Sequence, residues 1–199
     1  IWNAFRLVDS WEVHEIDQPE SSKCAIEWFE SRFNESLTEI NALFDKFKIS
    51  EALMAIYKLI WDDFCSWYLE MIKPGYKHPI DSKTLETTKN FFENILKLIQ
   101  PFMPFIAEEL WHLIRDRKEG DDIIIAAWPV IGTIDQVVLD HFKRTEEVIT
   151  GIRNIRKSNN IANKVKMDLM IKKNNEFDPR FDAVVIKMGN LSSLEYVSD

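Results

Sequence analysis

The fold turns on the stretch QPFMPFIAEELWHLI, from Gln100 to Ile114. Its apolar residues recur at helical spacing, yet Pro101 and Pro104 interrupt them. A proline inside a helix removes a hydrogen bond and strikes the preceding turn, at a cost of about 3 kcal/mol. The pair therefore predicts that one helix stops near Gln100. A second should start with Pro104 in its first turn, where a missing N–H costs nothing. Glu108 and Glu109 fall in the first turns of that new helix, where the dipole favours acids. Such a joint bends an apolar chain across the end of a bundle without a solvated loop.

Upstream, everything reads as helix. Trp2, Phe5, Val8 and Trp11 recur every third residue and predict a first helix. The Gln18–Ser22 cluster, QPESS, breaks it. Ile26, Phe29, Phe33, Leu37, Ile40, Phe44 and Phe47 then follow at spacings of three or four, the apolar face of a second helix. Ser50 is the expected N-cap of a third. Its body, ALMAIYKLIWDDFCSWYLEMI, is apolar nearly all round and predicts a helix at the centre of a bundle. Lys73-Pro74-Gly75 stops it, and a fourth helix runs from near Ser82 to the proline joint.

Downstream the pattern changes. Ile123 to Pro129 reads as a short extended piece. A long helix from about Val137 to Arg156 ends at Ser158-Asn159-Asn160, and residues 165–171 alternate as a strand. Phe181 to Met188 predicts a helix and Leu194 to Val197 a second strand. The expected fold is mainly α: a helical bundle over residues 1–130, followed by a small α/β unit over 131–199. With only two strands that unit reads as truncated, and the chain as a piece of a longer polypeptide.

Net charge is −8, which by itself disfavours a nucleic-acid partner. Its distribution says more. Residues 1–132 hold 14 basic against 23 acidic residues, whereas Lys143 to Lys173 holds nine basic and three acidic ones. The body is acidic and a strip near its end is basic.

Catalytic chemistry is hard to find. The four histidines form no HExxH or other metal-ligand spacing, and no glycine-rich phosphate loop or GxSxG occurs. Asp62-Asp63 and Glu108-Glu109 are helix neighbours that point apart, so they read as solvated or capping acids. Cys24 and Cys65 form no CxxC and read as buried thiols. No apolar run approaches the roughly 18 residues of a membrane span. No catalytic residue, metal site or cofactor is expected in this chain.

The ordered series IWNAFRLV (1–8), IWDDFCSWYLE (60–70), QPFMPFIAEELW (100–111), AAWP (126–129) and GIRNIRKSNNI (151–161) resembles the anticodon-binding region of the valyl-tRNA synthetases, class I aminoacyl-tRNA synthetases. The resemblance spans nearly the whole chain. The proline joint and WP are shared with isoleucyl and leucyl relatives, whereas WDDFCSWYLE and IRNIR point to the valyl group.

The resemblance implies a module that docks the anticodon arm of valine tRNA for ATP-dependent aminoacylation by a catalytic domain absent from this chain. It implies intramolecular contact with that domain, which would use ATP and Mg, and a monomeric, cytoplasmic ligase. Neither the HIGH-like nor the KMSKS-like motif occurs, so the chain alone is not expected to activate valine. It places tRNA contacts near WNAFR and WFESR, making Arg6, Trp28, Arg32 and Asn3 the anticodon candidates. Trp28 precedes Phe29 of the buried stripe and is expected to point elsewhere, free to stack on a base. Arg153, Arg156, Lys157, Lys164 and Lys166 are the candidates for the tRNA backbone. Pro101, Pro104 and Trp111 are expected to be packing residues. Two alternatives remain, the isoleucyl counterpart of the same domain and a helical protein–protein interaction module without RNA.

Overall fold

A computed structural model describes residues 1–172 and 179–198. The bundle comprises α1 (Trp2–Asp9), α2 (Glu20–Asp45), α3 (Ile49–Lys58), α4 (Leu69–Ile72), α5 (Ser82–Ile99) and α6 (Pro104–Ile114). Between α3 and α4 the helix widens, over Leu59–Tyr68, into a π-type coil, where the Ser66 hydroxyl donates to the Trp61 carbonyl five residues back. Two short strands, β1 (Val13–His14) and β2 (Ile80–Asp81), pair in parallel beside the bundle. The small unit contains α7 (Gln136–Ser158), β3 (Met167–Lys172), α8 (Asp182–Gly189) and β4 (Leu191–Val197). Strands β3 and β4 run parallel, with α8 as the crossover between them.

The proline joint behaves as its sequence predicts. Helix α5 ends at Ile99, and Pro104 takes the first position of α6. The intervening turn is closed by the N–H groups of Phe102 and Met103, both donating to the Ile99 carbonyl at 2.9 Å. Trp111 is buried, and its indole N–H donates to the Asp121 carbonyl at 2.9 Å. The Arg117 guanidinium lies 3.4 Å from the centre of that ring. Pro101 and Pro104, expected to pack, are exposed instead. They shape the corner by what they forbid in the backbone, not by burial. Glu108 sits beyond the first turn and accepts the Ile123 N–H at 3.1 Å, tying α6 to the following loop.

Phe29 lies at the centre of the core, its ring 4.8–6.4 Å from those of Trp28, Phe33, Phe64, Tyr68 and Phe91. Tyr68 is fully buried, with its hydroxyl bonded to Thr88 at 2.8 Å. The same apolar cluster continues through Val138, Phe142 and Ile149 of α7 to Phe181 and Val184, so bundle and small unit share one core. Ile152, Val185 and Leu191 form a satellite cluster under the two-stranded sheet.

Several local expectations are corrected. Helix α1 stops at Asp9, leaving Trp11 outside it. Phe47 lies past the end of α2 in the left-handed region (φ 57°) and is 87% exposed, so the apolar spacing outlasts the helix. Ser50 falls inside α3, whose preceding residue is Lys48. The α3–π helix is not buried all round, since Leu53, Met54, Tyr57 and Trp61 face solvent. Ile123–Ile125 is a 3₁₀ turn, not an extended piece. Lys173, at the end of the basic strip, lies outside the described residues.

Candidate nucleic-acid interface

Two groups of exposed cations stand out among the described residues. The first is on α1. Asn3 and Arg6 are exposed, three residues apart and hence on one face of the helix, and neither side chain is hydrogen-bonded among the described residues. Phe5 and Val8, on the opposite side, anchor that helix to the core. A guanidinium presented this way keeps all five donors for a ligand.

The second group lies where α7 ends. Arg153 and Lys157 are exposed on α7, and Lys164 and Lys166 are exposed on the loop that leads into β3. The Arg153 guanidinium sits 5.2 Å from the Trp67 ring centre. Arg156, expected to touch phosphate, is instead only 5% exposed. Its two terminal nitrogens donate to four carbonyls, those of Ala162 (3.2 Å), Val165 (2.8 Å), Gly189 (2.9 Å) and Asn190 (3.1 Å). It therefore clamps the lysine-bearing loop to the end of α8. Its four acceptors are carbonyls and not carboxylates, so its charge adds to the surface field above it. The Asn190 side-chain amide donates to the Asn163 carbonyl at 2.7 Å, and its backbone takes the left-handed conformation (φ 49°) that asparagine tolerates.

Trp28 is also removed from the accessible set. It is 3% exposed, with its ring stacked on Phe142 at 4.1 Å. Helix α2 is covered on two sides, by the bundle through Phe29 and by α7 through Trp28, so leaving the main stripe does not mean facing water. Arg32 is half-buried and held within the chain, donating to Asp63 at 3.0 Å and to Glu35 at 2.5 Å. Asp63, expected to be a solvated acid, is buried as that partner.

Glu146 of α7 faces the same cluster, in a cleft of about 370 Å³ with Arg32, Asp63 and Lys143 among its lining. Burial, then repulsion from Asp63, raises its carboxyl to about 7 despite the attraction of Arg32; Glu147 raises it further and Lys143 opposes. The folded chain holds this proton up to about pH 7, whereas an ordinary glutamate releases it near 4.5. Folded chains therefore bind more protons across that interval, and stability falls as pH rises through it. Glu146→Gln is expected to raise the melting temperature at pH 8 and to change it little at pH 5. Melts at the two pH values check this, and an equal shift at both would contradict it.

Among the described residues, one group could hold a metal ion: Glu108, His112 and Asp122, with ligand atoms within 4.8 Å of one another. The sequence missed it because Asp122 comes from the loop after α6. His112 joins the other two, its Nε2 lying 3.0 Å from Glu108 and 3.3 Å from Asp122, and the group acts as a clip between helix and loop. No described helix is long and apolar enough to cross a membrane.

Comparison with known proteins places this geometry. Residues 27–171 match the family described as the anticodon-binding domain of tRNA ligase. The whole chain is 48% identical to part of a valine–tRNA ligase of Christiangramia forsetii and 50% identical to part of one from Phocaeicola vulgatus, covering 23% of each. A valine–tRNA ligase of Bacillus thuringiensis is 34% identical over 187 residues, 88% of this chain and 21% of that protein. The chain thus spans about a quarter of the length of the curated relatives it matches. From the fold and from this match together, the chain belongs to the anticodon-binding domain family of tRNA ligases.

Proposed function

We propose that this chain is the part of a valine–tRNA ligase that docks the anticodon arm of valine tRNA, presenting the acceptor end to a catalytic portion that uses ATP and Mg. The observation that carries the reading is the near-50% identity to valine–tRNA ligases across all 199 residues, on a domain of the anticodon-binding family. In this reading Arg6 and Asn3 meet unpaired bases of the anticodon loop. Arg153, Lys157, Lys164 and Lys166 meet phosphates, with Arg156 holding their loop in place. Trp28 and Arg32 support the fold from within. Backbone contacts position the tRNA, and base contacts select it.

An acidic chain holding an RNA through two small cationic areas should bind weakly and with strong salt dependence. The test is a low-salt titration with valine tRNA, and with the same tRNA altered only at the middle anticodon base. The unaltered tRNA should bind more tightly, and Arg6→Ala should weaken it by about tenfold, the loss of one good hydrogen-bonded contact. Equal binding of both tRNAs would leave backbone docking without anticodon reading. Preference for isoleucine tRNA would move the chain to the isoleucyl relatives. Absence of RNA binding at low salt would favour a protein-interaction module.

A further inference from the structure

The loop between α4 and β2 has no role in the reading above, yet its composition is unlike that of the rest of the bundle. Between Glu70 and Asp81 lies MIKPGYKHPI, ten residues without an acid, containing two lysines and a histidine, in a region with a net charge of −9. The chain turns tightly there, with the His78 N–H donating to the Gly75 carbonyl at 2.8 Å and Lys77 in the left-handed region (φ 60°). That turn pushes Tyr76 outward until it is 89% exposed. The Lys77 ammonium lies 5.4 Å from the centre of its ring. A tyrosine this exposed contributes nothing to the core.

The loop also has a fixed neighbour. Pairing of β1 with β2, extended by the Ile80 N–H donating to the Glu12 carbonyl at 2.8 Å, brings residues 73–78 against the end of α1. Between them opens a cleft of about 670 Å³, walled by Ser10 and Trp11 on one side and by Lys73, Tyr76 and Lys77 on the other. Ser10 follows Arg6 by four residues, and Arg6 follows Asn3 by three, so the polar stripe of α1 leads directly into this cleft. Glu12 is the one acid in its wall.

We propose that this cleft is a second RNA contact, taking one unpaired nucleotide with its base stacked on Tyr76 and its phosphate on Lys77. An aromatic plane with a cation beside it suits single-stranded nucleic acid, whose bases offer π-faces and whose backbone offers anions at each step. The inference rests on the tRNA reading above and adds to it the stacking residue that the burial of Trp28 leaves it without. Arg6 and Tyr76 then serve one RNA, which runs along α1 towards the cleft.

The test is a low-salt titration of the 199-residue chain with valine tRNA, comparing Tyr76→Ala, Tyr76→Phe, Lys77→Ala and Phe47→Ala. Phe47 is as exposed as Tyr76 and lies between two lysines, so it reports any general effect of an exposed aromatic. Tyr76→Ala is expected to weaken binding about tenfold, the effect of losing one stacked base, while Tyr76→Phe stays within twofold of the parent. Lys77→Ala should lower the salt slope by about one and Phe47→Ala should change little. Melting curves should coincide for all four. Wild-type affinity in Tyr76→Ala, with Arg6→Ala still impaired, would overturn this proposal and leave the tRNA reading standing. Equal losses in Tyr76→Ala and Phe47→Ala would overturn it as well, and a wild-type chain that binds no tRNA would overturn both.

Discussion

An Arg156→Ala chain is expected to lose about 3–5 kcal/mol of stability, seen as a lower midpoint in urea unfolding. The side chain is buried and donates to four carbonyls, of which that of Ala162 also accepts the Val165 N–H at 3.0 Å. A hydrogen bond to a charged group contributes roughly 1.5–3 kcal/mol, and carbonyls left buried without a donor add their desolvation cost. The four bonds do not sum independently, because the loop can move and admit water. Arg156→Lys should recover little, since one ammonium cannot serve carbonyls on two separate segments as a planar fork does. The result also separates two roles for this residue. A phosphate ligand would leave stability intact and flatten the salt dependence of RNA binding. The clamp predicts a stability loss first, with RNA affected through the freed Lys164 loop.

Trp28→Ala is the second large effect, at about 3–5 kcal/mol, the range for removing a buried large aromatic. The ring is stacked on Phe142, which in turn meets Trp67 and Phe181 edge-on. Its removal opens a cavity where bundle and small unit join. Thermal or urea unfolding checks the value. Unchanged stability combined with a loss of tRNA affinity would restore Trp28 as a stacking residue.

These two residues also show what the sequence could and could not convey. Pro101 and Pro104 were legible because proline acts on its own backbone, whatever surrounds it. The Phe29–Phe33–Leu37–Ile40 stripe was legible because one face of α2 meets the bundle at every turn. Trp28 was misread because periodicity reveals one buried face, and α2 has a second one, covered by a helix more than a hundred residues later. Arg156 was misread for a related reason. Its spacing from Arg153 suggests a shared surface, but its acceptors are main-chain carbonyls, which no sequence displays. The exposure of Tyr57 and Trp61 follows the same logic: the α3–π helix is apolar on all sides, but the bundle covers only some of them. Of the candidate site, Arg6, Asn3, Arg153, Lys157, Lys164 and Lys166 stand exposed, while Trp28, Arg32 and Arg156 are engaged within the chain. The pairing of β1 with β2, which brings the Tyr76 loop to α1, joins segments more than sixty residues apart and left no local trace.

Helix α7 acts as a ruler. Its 23 residues span about 34 Å at 1.5 Å per residue. One end is fixed to α2, where the Asp135 N–H donates to Ser31 at 3.2 Å, and the other carries Arg153 and Lys157. Phe142 and Ile149 bind its middle to the shared core. The distance and bearing of the basic end from the bundle are thus set by a residue count. One residue added between Ile149 and Arg153 would advance that end by about 1.5 Å and swing it by about 100°, turning its cations away from any strand they now face.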